Sequence, residues 1–161
     1  SETISPSMDI QIASNFERLI FDLNNGDDQQ TSLDMKNIKE KGQYLINDDK
    51  LNKISENFLS ARMSEDETLE VIKKVYEKYS VVLDPHTAIG YGAFDKHNLK
   101  GNNIVLATAH PCKFPDAVSK AINLKSDLPK ELEFILNEKE DYDIVENNLE
   151  KIKNYIKGKT K

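Results

Sequence analysis

Apolar residues recur at helical spacing along most of the chain, with charged residues between them. Ser14 and Glu17 have the spacing of a capping box and are followed by apolar positions three and four residues apart. Ser64 and Glu67 repeat that spacing ahead of a longer apolar stripe. The pattern therefore predicts mainly amphipathic helices. Further helical stripes lie at 33–39, 51–59, 114–122, 132–136 and 145–156.

Two short runs depart from the helical pattern and favour strands. Val81–Leu83 is β-favouring, and Ile104–Leu106 is apolar and uncharged, as in a strand that a parallel sheet buries on both faces. Asp84 and Pro85 form a strong helix start between the two runs. We therefore predict an α/β fold, a predominantly helical body with a small parallel sheet whose two strands are joined by a right-handed crossover.

The helix that begins at Pro85 contains two glycines, Gly90 and Gly92, and several other small residues. Each glycine costs about 1 kcal/mol relative to alanine inside a helix. Close approach of another backbone or of a ligand is the natural compensation, so we expect this helix face to pack tightly, against the sheet or beside a bound group.

Composition excludes several classes of protein. The formal net charge is −6, and lysines alternate with acidic residues, which argues against a nucleic-acid groove. Cys112 is the one cysteine, so an intrachain disulfide and a zinc ribbon are excluded and a reducing cytoplasm is favoured. No apolar run approaches about 18 residues, so we predict no membrane span. Three histidines without metal-ligand spacing lead us to predict no metal site.

Two places carry candidate chemistry. Thr108 follows the predicted strand at Ile104–Leu106, and the carboxyl edge of an open α/β sheet is where ligands bind. Asn15 and Arg18 lie at the start of the first predicted helix. They form either a solvated helix face, which the residue types favour, or part of an anion site at an open helix start.

Three segments carry a more specific signal when they are taken together. They are Ser5–Ile10 (SPSMDI) with Ala13–Leu19 (ASNFERL), then Leu83–Gly90 (LDPHTAIG), then Ala107–Phe114 (ATAHPCKF). In order and separation they resemble three consecutive signatures of the threonine synthase family. The resemblance covers most of the first 120 residues and is to the carboxyl-terminal portion of that enzyme only.

This resemblance implies part of a fold type II pyridoxal-phosphate enzyme, a lyase that converts O-phosphohomoserine and water to threonine and phosphate. In the family, a threonine at the position of Thr108 contacts the pyridine nitrogen of the cofactor. The Schiff-base lysine and the glycine-rich phosphate loop lie upstream in the family, and nothing in this sequence matches them, so we expect no catalytic residue in this chain. The resemblance also suggests five neighbours of the active cleft: His86, His110, Lys113, Asn15 and Arg18.

We therefore expect one partial domain, 1–161, that is inactive alone, with pyridoxal phosphate present only in the whole enzyme. Its segments are a helical part, 1–80, a cofactor-contacting part, 81–126, and carboxyl-terminal helices, 127–161. The expected partner is the amino-terminal portion of the same cytoplasmic enzyme. The alternative is a stand-alone helical interaction module derived from the same fold. A large exposed apolar surface would favour the fragment over the module.

Overall fold

The structure, a computed structural model, describes residues 2–10 and 12–160; Ser1, Gln11 and Lys161 lie outside the described residues. The chain divides into two compact units, Ser1–Asp127 and Leu128–Lys161. Seven α-helices occur in the described part: α1 Ser14–Leu23, α2 Asp28–Lys41, α3 Asp48–Ser55, α4 Glu65–Tyr79, α5 Pro85–Lys96, α6 Pro115–Ile122 and α7 Leu149–Lys159. Shorter 3₁₀ helices span Pro6–Met8, Pro111–Lys113 and Lys130–Asn137.

The predicted parallel sheet is wrong, and the α/β class is wrong with it, because residues 2–10 and 12–160 contain no strand. Val81–Leu83 and Ile104–Leu106 lie outside the helices, and neither run makes a backbone–backbone hydrogen bond to another described residue. Ile104 is 90% exposed and Leu106 is 73% exposed, the opposite of a central strand. A β-favouring run becomes a strand only when a neighbouring strand pairs with its backbone. The predicted crossover therefore has no sheet to connect.

The core of the first unit forms where α4 packs against α5 and α6. Ile72 of α4, Ala88 of α5 and Val118 of α6 are fully buried there. In the same unit α1 packs against α2 and buries Ile20. The apolar stripes of α1, α4 and α6 are therefore packing surfaces, whereas the large apolar side chains of the stripes at 51–59, 132–136 and 145–156 are mostly exposed. The packing of α4 holds the start of α5 in a fixed place.

The two predicted capping boxes have different outcomes. The box before α4 is confirmed, since Ser64 Oγ accepts the Glu67 N–H at 3.2 Å and Glu67 Oε2 accepts the Ser64 N–H at 2.7 Å. The box before α1 is wrong. Ala13 occupies the capping position, so Ser14 already has helical geometry and its side chain is not placed to cap.

The α5 helix is closely packed at Gly92, but its neighbours there are side chains and not the predicted sheet, backbone or bound group. A Cβ added at Gly92 would lie 2.5 Å from Met63 Cε and 3.3 Å from Val71 Cγ2. Gly90 is less crowded, with Val105 Cγ1 at 3.7 Å. Gly92 therefore allows α4 and the segment before it to approach α5 closely.

The second unit, Leu128–Lys161, contains the 3₁₀ helix Lys130–Asn137 and α7, and none of its described residues is buried. Asp143 accepts a hydrogen bond from the Tyr155 hydroxyl and pairs with Lys159 Nζ at 2.9 Å. These two partners hold the pKa of the Asp143 carboxyl below its usual value, the Tyr155 bond having the larger effect. This unit is therefore held by surface polar contacts and not by a core.

None of the described helices is both long and apolar enough to cross a membrane.

Candidate functional site

The start of α5 is built around the buried carboxylate of Asp84, which is 1% exposed. Its Oδ1 accepts the His86 backbone N–H at 2.9 Å and lies 3.0 Å from the ring Nδ1 of the same histidine. Its Oδ2 accepts a hydrogen bond from the Thr87 hydroxyl. Asp84 is the N-cap of the helix, where the helix dipole also favours a negative charge.

The imidazole of His86 connects three distant parts of the chain. Its Nε2 accepts the Ser7 backbone N–H at 3.2 Å, which leaves the ring proton on Nδ1, facing Asp84. The ring also packs against Phe114, with centroids 4.8 Å apart and planes inclined by 57°. Because His86 is 4% exposed, it acts here as a buried support and not as a group on an open surface.

Thr87 connects the hydrogen-bond network of Asp84 to Thr108. Its Oγ1 accepts the Thr108 backbone N–H at 3.0 Å and lies 3.3 Å from Thr108 Oγ1. Thr87 is buried, whereas Thr108 is exposed. The first turn of α5 therefore fixes the backbone of Thr108 and leaves its side chain at the surface.

His110 and Lys113 lie a few residues further on, around the 3₁₀ helix Pro111–Lys113. His110 Nδ1 accepts the Cys112 backbone N–H at 3.2 Å, so the imidazole caps this short helix. Both side chains are exposed. Within the described part of the chain, no hydrogen bond joins either of them to Thr108.

Asn15 and Arg18 pair with each other in the first turns of α1, where Arg18 Nη1 donates to Asn15 Oδ1 at 2.5 Å. Arg18 also lines a cleft of about 360 Å³ together with Phe21. The partner of Arg18 in this pair is the neutral amide of Asn15, so this hydrogen bond does not offset the guanidinium charge. The structure does not connect this pair to Thr108 through any hydrogen bond between described residues.

A cleft of about 700 Å³ lies away from Thr108. It is lined by residues of the chain start, by 61–65 and by Ile89. Thr108 lines neither this cleft nor the cleft at Arg18 and stands on an open surface. Residues 2–10 and 12–160 contain no group of three or more His, Cys, Asp or Glu side chains placed to hold a metal ion.

Sequence reasoning did not single out Thr87 or Asp84 as parts of the site. From the sequence, Asp84 is predicted to cap the helix, and Thr87 counts as one of several small residues in that helix. The available signal was their spacing, since a hydroxyl three residues after a capping carboxylate returns to it across the first helical turn. The contact from Thr87 to Thr108 spans 21 residues and leaves no trace in local sequence.

The chain is similar in sequence to known proteins. A family model described as "Threonine synthase, C-terminal" matches residues 87–156. The chain is 36% identical over 157 residues to a threonine synthase of Pseudomonas aeruginosa and 37% identical over 180 residues to that of Saccharomyces cerevisiae. Each match covers 96% of this chain, but only 34% and 35% of those proteins, respectively.

The chain is also similar to a solved structure in its fold. The pyridoxal-phosphate-bound threonine synthase of Brucella melitensis superposes with a TM-score of 0.82 at 38% identity, over 98% of this chain and 34% of that protein. The chain thus spans about a third of the length of the relatives it matches. On these matches in sequence and in fold, the chain belongs to the threonine synthase family and corresponds to its carboxyl-terminal portion.

Proposed function

We propose that this chain is the carboxyl-terminal portion of a pyridoxal-phosphate-dependent threonine synthase, which converts O-phosphohomoserine and water to threonine and phosphate. One observation carries the proposal: the three segments with family signatures meet in the structure. Ser7, His86 and Phe114 each come from a different signature, and the imidazole contacts both of the others. Thr108 of the third signature is bonded to Thr87 of the second.

The residues present fit one end of the cofactor. A pyridine nitrogen needs a polar neighbour, and the Thr108 hydroxyl is exposed on a backbone that Thr87 holds in place. The nearby carboxylate of Asp84 is buried and already accepts bonds from His86 and Thr87. We assign the covalent anchor and the phosphate cradle of the cofactor to the amino-terminal portion of the enzyme.

When bound, pyridoxal phosphate supplies an electron sink for carbanion chemistry. Thr108 would present a neutral hydroxyl to the ring nitrogen. A hydroxyl does not hold a proton on that nitrogen as a carboxylate does, so the ring withdraws electrons less strongly. Electron density would then remain available for chemistry beyond the α carbon, such as the loss of phosphate.

The proposed partner is the amino-terminal portion of the same enzyme. Ile104 and Leu106 are exposed at alternate positions, and residues 102–107 make no backbone–backbone hydrogen bond with described residues. A run of this kind is suited to pairing with a strand from another part of the protein. The exposed apolar residues favour this reading over a stand-alone interaction module, which has no need to leave them uncovered.

His110, Lys113, Asn15 and Arg18 are proposed as neighbours of the active cleft in the assembled enzyme. Lys113 and Arg18 are exposed cations, the type of group that suits a phosphorylated substrate. His86 is proposed to act from beneath the surface through Asp84. A single cysteine is consistent with a cytoplasmic enzyme.

Co-expression of this chain with the amino-terminal portion of the enzyme tests the proposal. Purified complex, supplied with pyridoxal phosphate and O-phosphohomoserine, is expected to release threonine and phosphate in equal amounts. Each portion alone is the control and is expected to release neither. Folded portions that do not associate, or a complex that binds the cofactor without forming threonine, would contradict the proposal.

A further inference from the structure

We propose that Thr87 is a positioning residue for the reaction, one that fixes the Thr108 hydroxyl relative to the cofactor ring without touching the cofactor itself. The inference rests on the proposed function, because it concerns the residue proposed to meet the pyridine nitrogen. It starts from the hydrogen-bond inventory at the start of α5, where each donor has a definite acceptor.

Thr87 has one hydroxyl proton, and that proton is used by Asp84. An ionised carboxylate only accepts, so the bond between Thr87 Oγ1 and Asp84 Oδ2 runs from the hydroxyl to the carboxylate. The lone pairs of Thr87 Oγ1 are then left for Thr108, and one of them accepts the Thr108 backbone N–H at 3.0 Å. Thr87 is therefore an acceptor only on the side that faces Thr108.

This direction cannot easily reverse, because the carboxylate of Asp84 is enclosed and its other bonds are also fixed. His86 donates both its backbone N–H and its ring Nδ1–H to the carboxylate, and the ring is in turn fixed by the Ser7 N–H on Nε2. Asp84 and Thr87 are 1% and 5% exposed, so water does not compete for these groups. The core of the fold thus fixes the oxygen that supports Thr108.

The consequence for Thr108 is specific. The distance between the two hydroxyl oxygens is 3.3 Å, and Thr87 has no proton to donate across it. Thr108 therefore keeps its own proton free to be donated, either back to Thr87 or outward to the ring nitrogen. Removal of the Thr87 oxygen would release the Thr108 N–H and let the exposed side chain turn away from the ring.

The test compares Thr87→Val with Thr87→Ser in the assembled enzyme. Valine keeps the shape without the acceptor, and serine restores the acceptor. Thr68→Val is the matched control, since Thr68 is also a buried helical threonine whose hydroxyl bonds to a neighbour, the Ser64 carbonyl at 2.8 Å. For Thr87→Val we expect kcat to fall about tenfold or more with little change in KM, because misplacement of about 1 Å costs up to about 100-fold.

A second readout does not depend on activity. With cofactor labelled with ¹⁵N in the ring, Thr87→Val is expected to shift the ring-nitrogen resonance, whereas Thr68→Val leaves it unchanged and Thr87→Ser restores it. In the unaltered protein, the Thr108 amide proton is expected to exchange slowly, as a bonded amide does. This last measurement requires no variant, so it can overturn the proposal even where the valine variant does not fold.

The possible failures are distinguishable. If the unaltered assembly binds no cofactor and forms no threonine, the proposed function fails. If the unaltered assembly is active while Thr87→Val matches Thr68→Val in kcat and in the ring-nitrogen resonance, the positioning role is overturned and the proposed function stands. A Thr108 amide that exchanges as fast as an unbonded one in the unaltered protein also overturns it.

Discussion

Among the described residues of the first unit, two carboxylates are buried, and their surroundings differ. Asp84 is 1% exposed and Asp34 is 5% exposed. Asp34 receives the Asn24 amide at 3.0 Å and the Gln30 amide at 2.8 Å, and Asn24 in turn accepts from Lys50 Nζ at 2.5 Å. A charge of opposite sign therefore lies one amide away from Asp34, and this branch of the network closes on a cation.

The network at Asp84 has no such closure. In the described part of the chain, the basic side chain beside the carboxylate is the imidazole of His86, which the Ser7 N–H on Nε2 indicates to be neutral. The helix N-terminus and four hydrogen-bond donors satisfy the carboxylate, and the network continues through Thr87 to an exposed hydroxyl at Thr108. The comparison teaches that a buried network which ends at the surface is a candidate for function, whereas one that ends on its own cation is a stability element.

Asp84→Ala should have the largest effect. It removes the N-cap, worth about 1 kcal/mol, and leaves buried donors on His86 and Thr87 without a partner, at about 1–3 kcal/mol each. We expect urea unfolding to show a loss of about 3 kcal/mol or more, together with loss of activity in the assembled enzyme. Asp84→Asn keeps a capping oxygen and should lose clearly less stability. Equal losses for the two variants would show that the donors are not satisfied as described.

Thr108→Val should separate function from stability. Because Thr108 is exposed, its hydroxyl contributes little to folding, and the thermal midpoint should stay within about 2 °C of the unaltered value. Activity of the assembled enzyme should fall about 100-fold, the usual cost of removing a hydrogen bond at a reacting group. Steady-state kinetics and a thermal melt on the same preparation measure both. A variant with a lower thermal midpoint and unchanged activity would show that Thr108 serves stability and not function.

Asp34→Ala should have the opposite effect to Thr108→Val, with lower stability and unchanged activity. Two amides lose their acceptor, so we expect unfolding to require about 2 kcal/mol less. The catalytic constants of the assembled enzyme should not change, since the network of Asp34 and Lys50 does not reach Thr108. Asp34→Asn, which has nearly the same shape, is the matched variant and should cost less. A fall in kcat without a fall in stability would contradict the distinction between the two networks.

Glu67→Gln should have the smallest effect, and it gives a pH dependence. The hydrogen bond from Lys96, followed by the bonds to Ser64, lowers the pKa of Glu67 from 4.5 to about 2. Since the folded pKa is depressed, the stabilisation is present above pH 4.5 and is lost as the pH falls toward 2. In Glu67→Gln, the free energy of unfolding should depend slightly less on pH across that range. High salt should reduce the difference between the variant and the unaltered protein, because the carboxylate is on the surface. If the free energy of unfolding depends on pH equally in both proteins, Lys96 does not form its hydrogen bond with Glu67 in solution.

Some local features are predicted correctly from the sequence. The Ser64 box and the Asp84 cap with Pro85 each follow from residues within a few positions, although the equally local box at Ser14 does not form. The crowding at Gly92 comes from Met63 and Val71, which are distant in sequence. Prediction failed for the strands, because pairing depends on partners that neither Val81–Leu83 nor Ile104–Leu106 supplies to the other. Propensity indicated which backbone is extended, and it contained no information about what pairs with it.

The candidate site was predictable only in part. Thr108 is a candidate because it follows the apolar run at Ile104–Leu106, whereas its contact with the cofactor and the choice of His86 and His110 rest on resemblance. These roles stay predictions. The support beneath Thr108 was not predictable, because the contacts of Thr87 with Thr108 and of Ser7 with His86 span 21 and 79 residues. Tertiary packing brings these groups together, and no local pattern encodes it.

A structure of the assembled enzyme with pyridoxal phosphate bound tests the central claim most directly, through the distance from Thr108 Oγ1 to the pyridine nitrogen. The proposed arrangement predicts a hydrogen bond of about 2.7–3.0 Å, with Thr87 still accepting the Thr108 N–H. A different side chain at that nitrogen, or a Thr108 hydroxyl turned away from the ring beyond bonding distance, would contradict it.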